Sequence, residues 1–322
     1  MAARNLTHRE GNPHWRTGKG GIRVPRLALR ISDNWLSFFL VAPALGLMTV
    51  YVLYPLWEVI SGSFLQSFIL GQPGHFVGLA NFQALVANGQ FLPALQLSVY
   101  YTVGNIVLQL GLGLPIALLL NMKLPGRNIA RGAVLFPFIV PAVVAALIWT
   151  FVLDPNTGIV DYVMTSLRVI HQPIPFLTSP SYAMNTVIVI STWKYVPLII
   201  ILFLARLQTI PSEVLEAARC DGANGWQVFR HVIWPWVLPV ALVAVMARTI
   251  LSFNEFDMPY LLAHGGPLES VTTAPVLVRE VLNSQNDFGS ASAMSLVMMA
   301  ILVIVLIGYL VVYRRGERML DG

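Results

Sequence analysis

The chain has 322 residues, of which 56% are apolar and only 11% are charged, and its formal net charge is +5. A soluble domain carries about 25% charged residues, so most of this chain's surface does not face water. Together with the single cysteine, Cys220, this composition excludes a soluble enzyme, a disordered chain and a disulfide scaffold.

A basic tail, residues 1–34, comes first and contains seven Arg or Lys residues. Six long apolar stretches follow, and about 20 mostly apolar residues are enough to cross a bilayer as a helix. In chain order the six predicted spans are residues 36–57, 94–120, 129–153, 183–207, 233–255 and 290–313. The sequence therefore predicts an all-α integral membrane fold, with a six-helix domain at 35–313 whose spans are kinked at prolines, and a short tail at 314–322.

The distribution of basic residues predicts the orientation of these spans. Sixteen of the twenty Lys and Arg residues lie in the N-terminal tail, around the second–third and fourth–fifth connections, or at the C-terminus. The alternate connections contain only Arg168 and Arg279, while Lys194 and Arg248 fall inside spans. Because basic residues accumulate on the cytoplasmic side, both termini are predicted to be cytoplasmic. The lipid bilayer accounts for the positive charge, and no nucleic-acid partner is predicted.

The connection between the fourth and fifth spans, residues 208–232, is longer than a simple turn requires. Ser212 is placed to cap a short helix with Glu213 in its first turn, and Gly222 offers a left-handed stop. A second helix beginning near Trp226 then leads into the fifth span. Such an ordered, partly apolar element either rests on its own bundle or docks into a partner's groove.

Within this connection, Glu216-Ala217-Ala218 is followed by Gly222 and then by Pro235. The spacing resembles the EAA loop of ABC-importer permeases, whose pattern is E-A-A-x3-G-x9-I-x-L-P. Val232 and Trp234 stand at the Ile and Leu positions of the pattern, and both replacements are apolar. We call residues 208–232 the coupling segment, since the resemblance implies that it seats in the cleft of an ATPase.

Five further segments resemble the carbohydrate-uptake branch of that family, of the maltose and glycerol-phosphate permease type. They are Gly78-Leu79-Ala80-Asn81-Phe82, Trp193-Lys194-Tyr195-Val196-Pro197, Leu207-Gln208-Thr209-Ile210-Pro211, Asp221-Gly222-Ala223 and Gly265-Gly266-Pro267. The resemblance implies a permease subunit in the cytoplasmic (inner) membrane that forms half of a pathway for a carbohydrate or polyol. The implied partners are a second, related permease, two ATPase subunits and an extracytoplasmic solute-binding protein. The implied ATPase-coupling residues are Glu216, Ala217, Ala218, Asp221 and Gly222.

The sequence lacks a phosphate-binding loop of the form G-x-x-x-x-G-K-[ST], and its only lysines are Lys19, Lys123 and Lys194. No cofactor is therefore expected in this chain, and ATP and Mg²⁺ are expected on the partner ATPases. The six histidines form no ligand cluster, so no metal site is expected. The chain is accordingly predicted to be a transport subunit that performs no covalent chemistry.

An ionisable residue at membrane depth is costly and faces a pathway or a partner. Residues at helical spacing on the fourth and fifth spans form the predicted substrate pathway: Ser191, Lys194, Tyr195, Leu198, Arg248, Ser252 and Glu255. A structural alternative is that Lys194 pairs with Glu255 or Asp257 and only stabilises the bundle.

Three alternative functions stay open at this point. Lys194 and Arg248 could attract a phosphorylated polyol such as glycerol phosphate. An ion-coupled secondary transporter would need midplane carboxylates, and the spans contain only Glu255, close to an end. An intramembrane enzyme would need paired Asp residues or a His-Glu-x-x-His motif, and neither occurs.

Overall fold

A computed structural model describes residues 33–66, 74–122 and 125–320. The predicted N-terminal tail and the last residues of the C-terminal tail therefore lie largely outside the described residues. Helices dominate the described residues, and their strands Leu65–Gln66 and His75–Phe76 form one short antiparallel ladder. The all-α prediction is confirmed.

Residues 33–53 belong to one compact unit and residues from Tyr54 onward to a second. The first contains α1 (Asp33–Met48) and a π-helical turn at Thr49–Leu53. The second contains α2 (Tyr54–Gly62), α3 (Ala80–Ala87), α4 (Phe91–Asn121), α5 (Arg127–Ile139), α6 (Ala142–Val152), α7 (Ile159–Ser166), α8 (Ala183–Leu207), α9 (Ser212–Cys220), α10 (Gly225–Val228), α11 (Trp234–Phe253), α12 (Asp257–Ala263), α13 (Ala274–Ser284) and α14 (Phe288–Leu320). A π-helical turn at Phe229–Ile233 joins α10 to α11, and a 3₁₀ turn at Pro267–Glu269 follows α12.

Five helical stretches are long and apolar enough to cross a membrane. They are Leu40–Gly62, Phe91–Asn121, Ala183–Leu207, Gly225–Phe253 and Phe288–Val311. A sixth crossing exists if α5 and α6 count together, although these two helices are bent by 97° at their junction. The six-span prediction thus holds when the bent pair is one span.

The predicted third span, residues 129–153, is bent so sharply that it forms two helices, because the chain leaves the helical conformation at Val140 and Pro141. Val140 has φ −63° and ψ 128°, and Pro141 has φ −55° and ψ 143°. Proline has no N–H to donate, and it pushes the preceding residue toward an extended backbone. Pro137, one turn earlier, lies inside α5 and does not break it.

Helix α8 is the centre of the second unit. In the most apolar 18-residue stretch of α8, 61% of the residues are buried. The corresponding stretches of Phe91–Asn121 and Gly225–Phe253 have 33% of their residues buried. Helix α4 approaches α8 closely at two glycines, since a Cβ added to Gly104 would meet Ile188 at 2.9 Å and one added to Gly113 would meet Ile199 at 2.7 Å. The buried face of α8 that this close packing creates contains two of the fourth-span pathway residues, Ser191 and Lys194.

Candidate solute pathway and coupling segment

The coupling segment contains the short helix α9, as its sequence predicts. Ser212 is not its cap: Pro211 occupies the cap position with an extended backbone, and no side chain caps the helix. No residue of α9 is buried. Glu216 and Ala217 are exposed, while Ala218 is half-buried. The helix therefore does not bury a face in its own bundle, which favours the docking alternative.

A left-handed glycine ends α9. Gly222 has φ +81°, its N–H donates to the Arg219 carbonyl at 3.0 Å, and the Ala223 N–H donates to the Ala218 carbonyl at 3.0 Å. This pair of hydrogen bonds is the Schellman motif, which satisfies carbonyls that a helix end leaves free. Asp221, at the C-cap, is exposed beside this turn.

The second helix of the segment begins with a capping box. Asn224 Oδ1 accepts from the Gln227 N–H at 2.9 Å, and Gln227 Oε1 accepts from the Asn224 N–H at 2.8 Å. Trp226 is 67% exposed and stacks on Phe229, with ring centroids 5.5 Å apart. Local hydrogen bonds thus form at the end of the first helix and at the start of the second, which buries only Val228.

The two ends of the coupling segment are tied together at the bundle. Arg206 Nε, at the end of α8, donates to the Trp236 carbonyl of α11 at 2.8 Å, and its guanidinium lies 5.2 Å from the Trp236 ring centroid. Trp236 Nε1 in turn donates to Thr209 Oγ1 at 3.1 Å. These contacts join the end of α8, the start of the coupling segment and the first turn of α11.

Tyr195 is the centre of the predicted substrate-pathway residues. Its hydroxyl donates to Glu255 Oε1 at 3.0 Å, and its ring centroid lies 4.8 Å from Arg248 Cζ and 5.3 Å from Lys194 Nζ. Arg248 also donates from Nη2 to Ser252 Oγ at 2.8 Å. The structure thus brings residues of the fourth and fifth spans together around one aromatic ring, which contacts two cations and a carboxylate.

The predicted fifth span, residues 233–255, placed Glu255 at the end of a helix. The structure places it outside that helix. Helix α11 ends at Phe253 and α12 begins at Asp257, so Glu255 lies in the turn between them. There its carboxylate meets the Tyr195 hydroxyl. The predicted partnership of Lys194 with Glu255 or Asp257 is not found as an ion pair in the described part of the chain. Lys194 Nζ donates instead to the Val140 carbonyl at 2.5 Å.

The pathway residues differ in how accessible they are. Tyr195, Leu198 and Glu255 are half-buried, whereas the others are buried behind them. The exposed fractions of the buried set are 0% for Ser191, 4% for Lys194, 3% for Arg248 and 1% for Ser252. Among the predicted pathway residues, the half-buried three are thus the more accessible ones in this subunit.

The sequence analysis missed a polar row on α4 that packs against this cluster. The Tyr101 hydroxyl donates to Ser191 Oγ at 2.8 Å. Further along α4, Gln109 Nε2 donates to Asn105 Oδ1 at 3.1 Å. The row consists of Ser98, Tyr101, Thr102, Asn105 and Gln109, all buried. Its spacing of three to four residues within an apolar span is a signal that could have revealed it.

Among the described residues, no group of three or more His, Cys, Asp or Glu side chains could hold a metal ion. The cluster around Tyr195 itself consists of hydroxyls, charged groups and one aromatic ring. These groups hydrogen-bond to hydroxylated solutes and stack on the apolar faces of sugar rings.

Comparison with known proteins gives one family. The profile described as "Binding-protein-dependent transport system inner membrane component" matches residues 109–318. The trehalose/maltose transport system permease protein MalF of Thermococcus litoralis is 31% identical over 292 residues, which cover 89% of this chain and 96% of that protein. The sn-glycerol-3-phosphate transport system permease protein UgpA of Brucella abortus is 30% identical over 272 residues, covering 83% of this chain and 91% of that protein.

A solved structure has the same fold. It is the bacterial alginate ABC transporter in complex with alginate pentasaccharide-bound periplasmic protein, with a TM-score of 0.79 at 19% identity. The match covers 90% of this chain and 98% of the compared chain. The likeness extends over nearly all of both chains, so the two chains share the helical fold described above.

Proposed function

The chain belongs to the family of binding-protein-dependent transport system inner membrane components, and we propose that it forms half of the translocation pathway of an ATP-driven carbohydrate or polyol importer. The observation that carries this proposal is the coupling segment. Helix α9 is ordered by its own hydrogen bonds, presents Glu216 and Ala217, and buries no residue. A rigid, uncovered helix between two spanning helices is suited to receive force from a partner subunit.

The energy source is assigned to partner subunits. The sequence has no phosphate-binding loop, so ATP and Mg²⁺ are proposed to bind two ATPase subunits that engage the coupling segment from the cytoplasm. A second, related permease completes the pathway, and an extracytoplasmic solute-binding protein delivers the cargo. Both termini are then cytoplasmic, as the basic residues predict. The proposed coupling residues are Glu216, Ala217, Ala218, Asp221 and Gly222.

The names of the relatives and the chemistry of the cluster both support a hydroxylated cargo. The relatives are named for trehalose and maltose or for glycerol 3-phosphate, and the structural neighbour for alginate. In this chain, Tyr195 and Glu255 offer an aromatic face and an acceptor for hydroxyl groups. Lys194 and Arg248 are buried and already engaged by Val140 and Ser252. We therefore favour a neutral sugar or polyol over a phosphorylated one.

Transport by the reconstituted system tests this function. The chain is assembled with its partner permease, two ATPases and binding protein in proteoliposomes, and uptake of radiolabelled sugars is measured. Uptake is expected only with ATP on the ATPase side and with active ATPases, because this chain supplies no nucleotide site. Uptake that persists with inactive ATPases and follows an ion gradient would identify a secondary transporter. Selective uptake of peptides or amino acids would contradict the carbohydrate assignment.

A further inference from the structure

The break between α5 and α6 leaves a backbone carbonyl without its helical partner. Helix α5 ends at Ile139, and Val140 turns to an extended conformation with ψ 128° before Pro141. Its carbonyl therefore does not continue the hydrogen-bond ladder of α5. In the interior of a membrane protein such a carbonyl must find another donor, because water is not available there.

Lys194 supplies that donor. Its Nζ lies 2.5 Å from the Val140 carbonyl oxygen, and the residue is only 4% exposed. The bond joins α8 to the bend across 54 residues of sequence. Val140 also lies at the C-terminus of α5, where the helix dipole places partial negative charge, so an ammonium group is favoured at this position.

Among the residues that the structure describes, no second acceptor lies at hydrogen-bonding distance from Lys194. In the described residues, Val140 is its only hydrogen-bond acceptor, and no carboxylate lies within ion-pair distance of it. The Tyr195 ring centroid is 5.3 Å from its Nζ. The Lys194 ammonium therefore already has a backbone acceptor and an aromatic neighbour within the subunit, which favours a role in the bundle over cargo binding.

We propose that Lys194 is a positioning residue, which holds the bend between α5 and α6 in place and does not bind the solute. Helix α8 continues from Lys194 to Leu207, where the coupling segment begins. Those thirteen residues measure about 20 Å as a helix. The hydrogen bond therefore connects the bend directly to the helix that leads into the coupling segment. The effect of Lys194 on transport rests on the proposed function. Its effect on the geometry of the bend can be measured without transport.

Pulsed EPR distances across the bend test the proposal. Spin labels are placed at Phe136 on α5 and Phe151 on α6, which are 62% and 73% exposed, in a Cys220→Ser background. The assembled complex in nanodiscs is compared with its Lys194→Met and Lys194→Arg variants. Lys194→Met is expected to broaden and shift the distance distribution, because methionine fills similar space without a donor. Lys194→Arg, which keeps N–H donors, is expected to retain the narrow distribution.

The matched control is Thr192→Val on the same helix. Thr192 is buried and its Oγ1 has no hydrogen-bond partner in the described residues, so this change removes a polar atom without affecting the bend. An unchanged distance distribution in Lys194→Met would overturn the proposal. If Lys194→Met prevents assembly, the Lys194→Arg variant provides the test. A broadened EPR distance distribution in assembled Lys194→Arg would also overturn the proposal.

Uptake kinetics separate positioning from solute binding. Lys194→Met is expected to lower the maximal uptake rate about tenfold while the half-saturating cargo concentration stays within about twofold, as for a residue that acts through geometry. A large rise in the half-saturating concentration at an unchanged maximal rate would identify Lys194 as a solute ligand. A complex that moves no cargo in any form would reject the proposed function, whereas the EPR distances would still report on the bend.

Discussion

Replacing Gly222 with alanine is expected to weaken the stimulation of the partner ATPases by the loaded binding protein. Gly222 has φ +81°, a conformation that costs an L-residue roughly 1–2 kcal/mol, so the Schellman stop of α9 is weakened. Glu216, Ala217 and Ala218 then lose their fixed position relative to α10. Since about 1.4 kcal/mol corresponds to a factor of ten, binding-protein-stimulated ATPase activity of the reconstituted complex should fall roughly tenfold.

Gly225 provides the matched control for this experiment. Both glycines are exposed and neither has an atom within 4 Å of an added Cβ, but only Gly222 has a positive φ. Gly225→Ala should therefore retain coupling. Gly222→Asn should recover part of it, because asparagine tolerates the left-handed region. Equal coupling in Gly222→Ala and Gly225→Ala would remove the argument that the backbone turn positions the coupling helix.

Replacing Tyr195 with alanine is expected to cause the largest loss of stability in the pathway. The ring contacts both buried cations, with Arg248 Cζ at 4.8 Å and Lys194 Nζ at 5.3 Å from its centroid. Removing a large aromatic side chain from a core costs about 3–5 kcal/mol, and a desolvated cation–π contact contributes about 2 kcal/mol. Because Tyr195 is half-buried, we expect about 2–4 kcal/mol in total, measured as a lower thermal midpoint of the assembled complex.

Tyr195→Phe separates the ring from its hydroxyl. Phenylalanine keeps both cation contacts but no longer donates to Glu255, whose bond to Tyr195 measures 3.0 Å. Its thermal midpoint should stay close to that of the parent chain, while the half-saturating cargo concentration changes because Glu255 loses its orientation. A midpoint as low as that of Tyr195→Ala would show that the hydroxyl, and not the ring, supports the cluster.

The coupling segment was predictable because its structure is local. Gly222 with its left-handed backbone and the helix that follows near Trp226 both depend on residues only a few positions apart. The one local error concerned the cap of α9, where Pro211 takes the position expected for Ser212. The proline ring restricts φ to a value that suits the extended residue before a helix, and α9 begins there without a side-chain hydrogen bond.

The interior of the bundle was only partly predictable, because its contacts join distant parts of the chain. Helical spacing identified Lys194, Tyr195 and Arg248, but it gave no sign that Lys194 would donate to Val140, 54 residues away. The break at Pro141 was also missed, since Pro137, which stays within α5, has the same local signal. Among the described residues, the two prolines differ in a tertiary contact, since the carbonyl of Val140, just before Pro141, accepts from the buried Lys194.

The accessibility of Cys220 tests the central claim most directly, and it needs no mutation. Cys220 is the only cysteine in the chain and is exposed at the last residue of α9. The rate of its reaction with a membrane-impermeant maleimide is measured in inside-out vesicles, with and without the two ATPases assembled. If the coupling segment seats in the ATPases, assembly should slow the reaction on the order of tenfold, because an interface core excludes solvent. Equal rates with and without the ATPases, or labelling only from the opposite membrane face, would contradict the proposed role of this segment.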